Sequence, residues 1–160
     1  MVDKNQAIID FLLDCPQLMY NSVFFNAINA KDNDKQIITQ SNDASLNSKY
    51  IDGSVLRRYT FTLIDFRSVL YQPLPKVEGY VSENVEELFD VQSIMDWVNE
   101  QADLQNYPDF GEDCIIDSMR TTSDNPNLNG IDTNVTPALA KYSMSIQIDY
   151  LDTSKAVWNS

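Results

Sequence analysis

The stretch Tyr142-Ser143-Met144-Ser145-Ile146-Gln147-Ile148-Asp149-Tyr150 decides the fold. Apolar and polar side chains alternate at every position, and successive residues of a strand point to opposite faces of its sheet. One face is therefore buried and the other wet, as in an antiparallel sheet that carries its core on one side. Residues 55–66 repeat the pattern. Val55, Tyr59, Phe61 and Leu63 point one way, and Arg58, Thr60 and Thr62 the other. Arg57 falls on the apolar side near the strand end, where its long stem reaches solvent.

Working outward, Cys114 to Thr121 reads as a third strand, and Val23 to Ile28 and Lys35 to Gln40 as shorter ones rich in β-branched or aromatic residues. Ala7, Ile8, Phe11, Leu12 and Cys15 recur at helical spacing, with Asp3 and Gln6 as a capping pair and Pro16 as a stop. A second helix is expected after Ser82, an N-cap followed by Glu83, Glu86 and Glu87 in its first turns. Its buried stripe is read as Val85, Leu88, Phe89, Met95, Val98 and Ala102, widened by Trp97; Pro108 and Gly111 end it. Residues 41–54 are turn-rich, residues 72–82 are broken by Pro73, Pro75 and Gly79, and residues 122–140 read as an extended loop with four asparagines, two prolines and one glycine. The expected fold class is α+β: a single domain over residues 1–160, mainly an antiparallel β-sheet, with about two helices packed on one face.

Composition limits the chemistry. The 160 residues carry 24 Asp+Glu against 11 Lys+Arg, a net charge of −13, and no histidine. Without histidine the commonest general base and metal ligand are missing. The charge argues against gripping a nucleic-acid backbone, which needs clustered cations, and Arg57-Arg58 is the only basic pair. A strand surface or a subunit salt bridge is its expected place. Cys15 and Cys114 form no C-x-x-C pair and are expected as reduced, buried small hydrophobes. There is no G-x-S-x-G, P-loop or G-x-G-x-x-G pattern, and only four glycines. Asp32-Asn33-Asp34 begins like a calcium loop, but Ile37 replaces the required glycine and Asp43 the final glutamate. Asn134-Val135-Thr136 matches a glycosylation sequon by chance. No enzyme activity, cofactor, metal or membrane span is expected. Tyr20, Tyr50, Tyr71, Tyr80 and Tyr107 lie in turn-like segments, as packing under loops or as interface anchors.

The order of motifs adds a resemblance. A helix ends in Cys15-Pro16, and Tyr50-Ile51-Asp52-Gly53-Ser54 runs directly into the strand Val55 to Leu63. A helix carrying Asp96-Trp97-Val98-Asn99-Glu100-Gln101 precedes Asn106-Tyr107-Pro108-Asp109, and Ala140-Lys141-Tyr142 opens the last strand. Over roughly residues 3–152 this resembles the small tail terminator (tail completion) proteins of long-tailed bacteriophages, often labelled minor capsid proteins. The Asn-rich segment 122–137 and the low glycine content depart from the family pattern. The resemblance implies a structural virion protein, assembled in the bacterial cytoplasm. It would form a homohexameric ring on the head-proximal end of the tail tube, touching the tail tube protein below and a neck or head-completion protein above. A neighbouring neck connector is the alternative, and a carboxylate-based metal-dependent enzyme a more remote one. The family supplies no catalytic residues. Candidate interface residues are Tyr50, Asp52 and Gly53 in the turn, Arg57 and Arg58 beside it, and Asn127, Asn129 and Asn134 in the Asn-rich segment. The acidic surplus would line the ring lumen and repel passing DNA.

Overall fold

The computed structural model describes residues 3–18, 23–26, 31–32, 34–39, 44–69, 76, 78–79 and 83–155. In chain order its elements are α1 (Lys4–Leu13), β1 (Val23–Phe25), β2 (Lys35–Thr39), β3 (Ala44–Lys49), β4 (Val55–Ser68), α2 (Glu83–Asp103), β5 (Cys114–Thr121), β6 (Asn127–Asp132) and β7 (Leu139–Asp152). The α+β fold, with two helices on one face of a mostly antiparallel sheet, is as the alternation requires.

Two strands of 14 residues, β4 and β7, form the spine. They pair antiparallel over their full length, from Val55 opposite Asp152 to Ser68 opposite Leu139. At about 3.4 Å per residue the ladder is roughly 45 Å long. Each spine strand has two short partners on its outer side. β3 lies along the first part of β4 and β2 along the second. β6 lies along the first part of β7 and β5 along the second. β1 adds to β2 and is the one parallel pairing among the described residues.

Register assigns the faces. Tyr59, Phe61 and Leu63 stand opposite Ile148, Ile146 and Met144, so all six share one face, joined by Ile37 of β2. That face meets Ala7, Ile8, Phe11 and Leu12 of α1 and Val91, Ile94, Met95 and Val98 of α2 in one apolar core. The other face carries Thr60, Thr62, Ser145 and Gln147, half-buried, and no helix among the described residues. Phe110 comes from the chain after α2 and wedges edge-on between Tyr59 and Tyr150, with ring centroids 5.6 and 5.5 Å away. Such edge-to-face contacts add to the area they bury.

The helix ends follow local chemistry. The Asp3 carboxylate accepts the Asn5 amide at 2.9 Å, capping α1, so Asn5 rather than Gln6 is its partner. α2 ends in a left-handed residue, Gln105 at φ 55°, where the Gln105 amide donates to Ala102 and the Asn106 amide to Gln101. This is a Schellman closure, and it stops the helix before Pro108 and Gly111 are reached. The expected Ser82 cap lies outside the described residues, as do residues 27 and 28 of the first expected strand.

Three expectations need correction. Residues 122–140 are not one loop, because they contain β6 and the first residues of β7. Residues 41–54 hold β3. Both segments were too polar to betray a strand by alternation, and both pair only with the ends of the spine. The stripe of α2 is also rotated in its first half. Val85, Leu88 and Phe89 are exposed, Phe89 by 67%, while Val91 and Ile94 are fully buried.

Candidate functional site

Residues facing the sheet from α2 begin with acids, and Arg67 explains why. The alternation that points Tyr59, Phe61 and Leu63 inward continues along β4 to Asp65 and Arg67, which are therefore buried charges. Arg67 holds Asp65 with two parallel bonds, Nε to Oδ1 at 2.9 Å and Nη2 to Oδ2 at 3.0 Å. Its Nη1 reaches Glu87 at 3.1 Å and Asp90 at 3.4 Å on α2. Lys35, opposite Asp65 on β2, closes the cluster with Nζ 3.3 Å from Oδ1. With Glu87 and Asp90 turned toward the sheet, helical spacing puts Val91, Ile94, Met95 and Val98 inward and swings residues 85, 88 and 89 outward.

The ionisation of this cluster follows from burial and neighbours. Burial pushes the Lys35 ammonium below the usual lysine range, against the opposing pull of Asp65. Burial alone would lower Arg67, but the bonds to Asp65 and Glu87 outweigh it and raise the guanidinium instead. Tyr142, opposite Asp65, is pushed up by burial and by the charge of Glu87. Such a network holds β2, β4 and α2 in one register, since removing the fully buried Asp65 strands the charges of Lys35 and Arg67 away from water. Sequence alternation carried four residues past Leu63 would have found Asp65 and Arg67.

The candidate interface residues divide between the two ends of the spine. Tyr50, Asp52 and Gly53 form the hairpin turn from β3 to β4, at the end where β7 finishes. The Gly53 amide donates to the Tyr50 carbonyl at 3.0 Å, and Gly53 sits at φ 94°, where a side chain would be strained. Asp52 accepts the Ser54 hydroxyl at 2.6 Å and the Ser54 amide at 3.0 Å, which hold its carboxyl below the usual range. This stiff turn presents Tyr50 and a fully exposed Ile51. Arg57 and Arg58 lie at the same end on opposite faces. Arg57 Nε contacts Asp152 at 3.0 Å, and Arg58 holds Asp149 bidentately at 2.8 and 3.2 Å. Both arginines thus pair within the chain, across the β4–β7 ladder.

Asn127 and Asn129 are in β6 and Asn134 follows it, all exposed at the opposite end of the spine. Asn129 donates to the Ser143 hydroxyl at 2.5 Å, and the Asn134 amide donates to Asp132 at 3.0 Å. The structure brings the first five candidates together and sets these three apart from them.

Other sequence candidates take structural places. Trp97 is half-buried against Phe11, at 5.0 Å between ring centroids, whereas Phe89 is not in the core at all. Tyr107 is half-buried, and Tyr20, Tyr71 and Tyr80 lie outside the described residues. Cys15 is buried, with its thiol pushed up by desolvation; Cys114 is half-buried. Asp32 and Asp34 spend their carboxylates on backbone amides, those of Ser68 at 2.7 Å and Lys31 at 2.9 Å. Among the described residues no group of three or more Cys, Asp or Glu is placed to hold a metal ion. No helix among the described residues is long and apolar enough to cross a membrane.

Compared with known proteins, the chain matches no family model and no curated protein.

Proposed function

We propose that this chain is a structural assembly protein of the tail-terminator kind. Its subunits join in a closed ring on the head-proximal end of a phage tail tube, end tube polymerisation, and join the tail to the neck. The observation that carries this reading is that the sheet finishes on two unlike edges. β1 and β3 flank one side, β5 and β6 the other, and among the described residues nothing pairs beyond them. A closed ring needs a heterologous contact, in which one patch meets a different patch on the next subunit. Free strand edges are ready templates for such pairing. The stiff Tyr50–Ser54 turn and the Asn-rich β6, at opposite ends of the spine, suit contacts along the ring axis to the neck on one side and the tube on the other.

Charge is distributed unevenly between the two layers. α2 carries seven acids and no Lys or Arg. The sheet face away from the helices bears Arg58, Arg120 and Lys141 beside Asp149. An acid-lined lumen that lets DNA pass without sticking therefore requires the helix layer to face inward.

Electron micrographs of phage lacking this protein test the reading. Overlong tails without heads are the expected result, and tails of normal length joined to heads would overturn it. Labelled protein found at the portal rather than on the tube would favour the neck connector instead. Sedimentation of a tight symmetric dimer that ignores tail tubes would also count against the ring.

A further inference from the structure

Between Lys76 and Arg120 the chain contains no Lys or Arg, and α2 lies wholly inside that interval. Its first two turns expose Val85 (46%), Leu88 (39%) and Phe89 (67%) rather than burying them. This is not fraying of an unanchored helix, because Arg67 ties Glu87 and Asp90 to the sheet from within the same turns. The outward apolar line is thus held in place by the inward acidic one.

The neighbouring strand continues the surface. Asn99 and Thr121 are bonded at 3.3 Å, and Gln92 reaches the Asp124 carbonyl at 3.4 Å, so α2 runs back along the chain leaving β5. The same direction carries residues 85–89 toward β6. There Leu128 (53% exposed) and Ile131 (39%) pair with Tyr142 and Ala140, on the helix-bearing side of the sheet. Val85, Leu88 and Phe89 at adjoining positions of one helix, with Leu128 and Ile131 on the same side of the sheet, exceed the scatter of single apolar side chains that any surface shows. Asp124 lies beside them through its contact with Gln92, Asp90 is 69% exposed although its carboxylate also reaches Arg67, and α2 itself carries seven acids and no Lys or Arg.

We infer that the outer face of the first half of α2, continued by Leu128 and Ile131 of β6, is a docking surface for a basic amphipathic segment of a different protein. Charge complementarity chooses this occupant. An apolar ridge of the partner would cover Leu88 and Phe89, and flanking Lys or Arg would meet Asp90 and Asp124. A second copy of this chain is poorly suited, because each copy would bring a helix of seven acids and no Lys or Arg to the contact, and the two would repel. The inference does not rest on the ring reading, since the surface lies on a helix face rather than on a sheet edge.

The test uses the full chain and a synthetic 14-residue helix of alternating leucine and lysine pairs, titrated by calorimetry at low and at 0.5 M salt. Saturable one-to-one binding is expected, weakened at least tenfold by Leu88→Ser/Phe89→Ser and also weakened by salt. A peptide of the same composition with its apolar face scrambled is expected to bind no better to the native chain than the original does to that variant. Melting temperature is the folding control, and both replaced side chains are exposed, so it should not move. Four results would overturn the proposal. These are no saturable binding; an equal loss with Ile115→Ser, an exposed apolar residue elsewhere; an equal loss with Asp10→Asn/Asp14→Asn, which would mean undirected charge attraction; and self-association of the native chain abolished by Leu88→Ser/Phe89→Ser, which would assign the surface to a second copy.

Discussion

Arg58 and Arg67 stand near opposite ends of β4, and each grips an aspartate through Nε and Nη2 in the same forked geometry. Their surroundings differ. The Arg58–Asp149 pair is about one-third and one-sixth exposed, whereas Arg67 and Asp65 are 7% and 0% exposed. The bond pattern is nearly constant, so the difference in consequence comes from water. An exposed pair is screened and contributes little, while a buried one leaves a charge uncompensated when either partner is lost. The same chemistry therefore serves as trim at one end of the sheet and as a register lock at the other.

The largest expected effect breaks that contrast at the buried end. Asp65→Asn leaves Lys35 and Arg67 without their shared countercharge, and a loss of about 3–5 kcal/mol in urea unfolding is expected. Replacing the three together, as Lys35→Met/Asp65→Leu/Arg67→Met, should recover much of that loss, because the buried charges leave together and the remaining acids, Glu87 and Asp90, are partly open to water. A loss below about 1 kcal/mol for the single variant would mean that the cluster is far wetter than its burial implies.

Next in size is the rotation of α2 that the cluster imposes. Ile94→Ala should cost about 2–5 kcal/mol, since Ile94 is fully buried. Phe89→Ser should stay within about 0.5 kcal/mol, as surface substitutions usually do. Comparable losses for the two, read as shifts in melting temperature, would restore the stripe that periodicity alone suggests.

At the exposed end, Arg58→Ala is expected to cost no more than about 1 kcal/mol, and less still in high salt. The smallest effect is on pH. Desolvation tends to raise the Asp152 carboxyl, but bonds from Ser154 and Arg57 outweigh it and hold it below its ordinary 3.8. A carboxyl depressed in the folded state contributes stability that is present above pH 3.8 and lost as pH falls through its lower folded value. Acid titration of the native chain should thus show a small loss below pH 3.8 that Asp152→Asn removes. An unchanged acid limb in that variant would exclude Asp152 as a source of it.

Much of the sheet was readable from the chain. The strand over residues 114–121 was expected and found with the same bounds, and the two spine strands differ from expectation only by two or three residues at their ends. They carry strict alternation with large apolar residues, a signal that needs no partner to interpret. β3 and β6 had none. Their residues Ala44 to Lys49 and Asn127 to Asp132 are mostly small or polar, and they become strands because the long spine offers unpaired backbone along its outer sides. The turn at Tyr50 to Gly53 was legible as a connection, whereas the place of Asn127 and Asn129 in β6 and the division of the candidates between two ends were not, because both depend on strand pairing.

The sequence by itself determined the α+β class, the face each spine residue takes, and the poverty of groups for acid–base or metal chemistry. These follow from local periodicity and composition, which act along the chain. Tertiary structure alone decided that Arg67 meets Glu87 and Asp90 across 20 and 23 residues, and hence which way α2 turns. A helix of mixed pattern can bury either of two neighbouring stripes. The choice falls to whichever inward side chains can neutralise the buried charge beneath them, and that charge lies on another element.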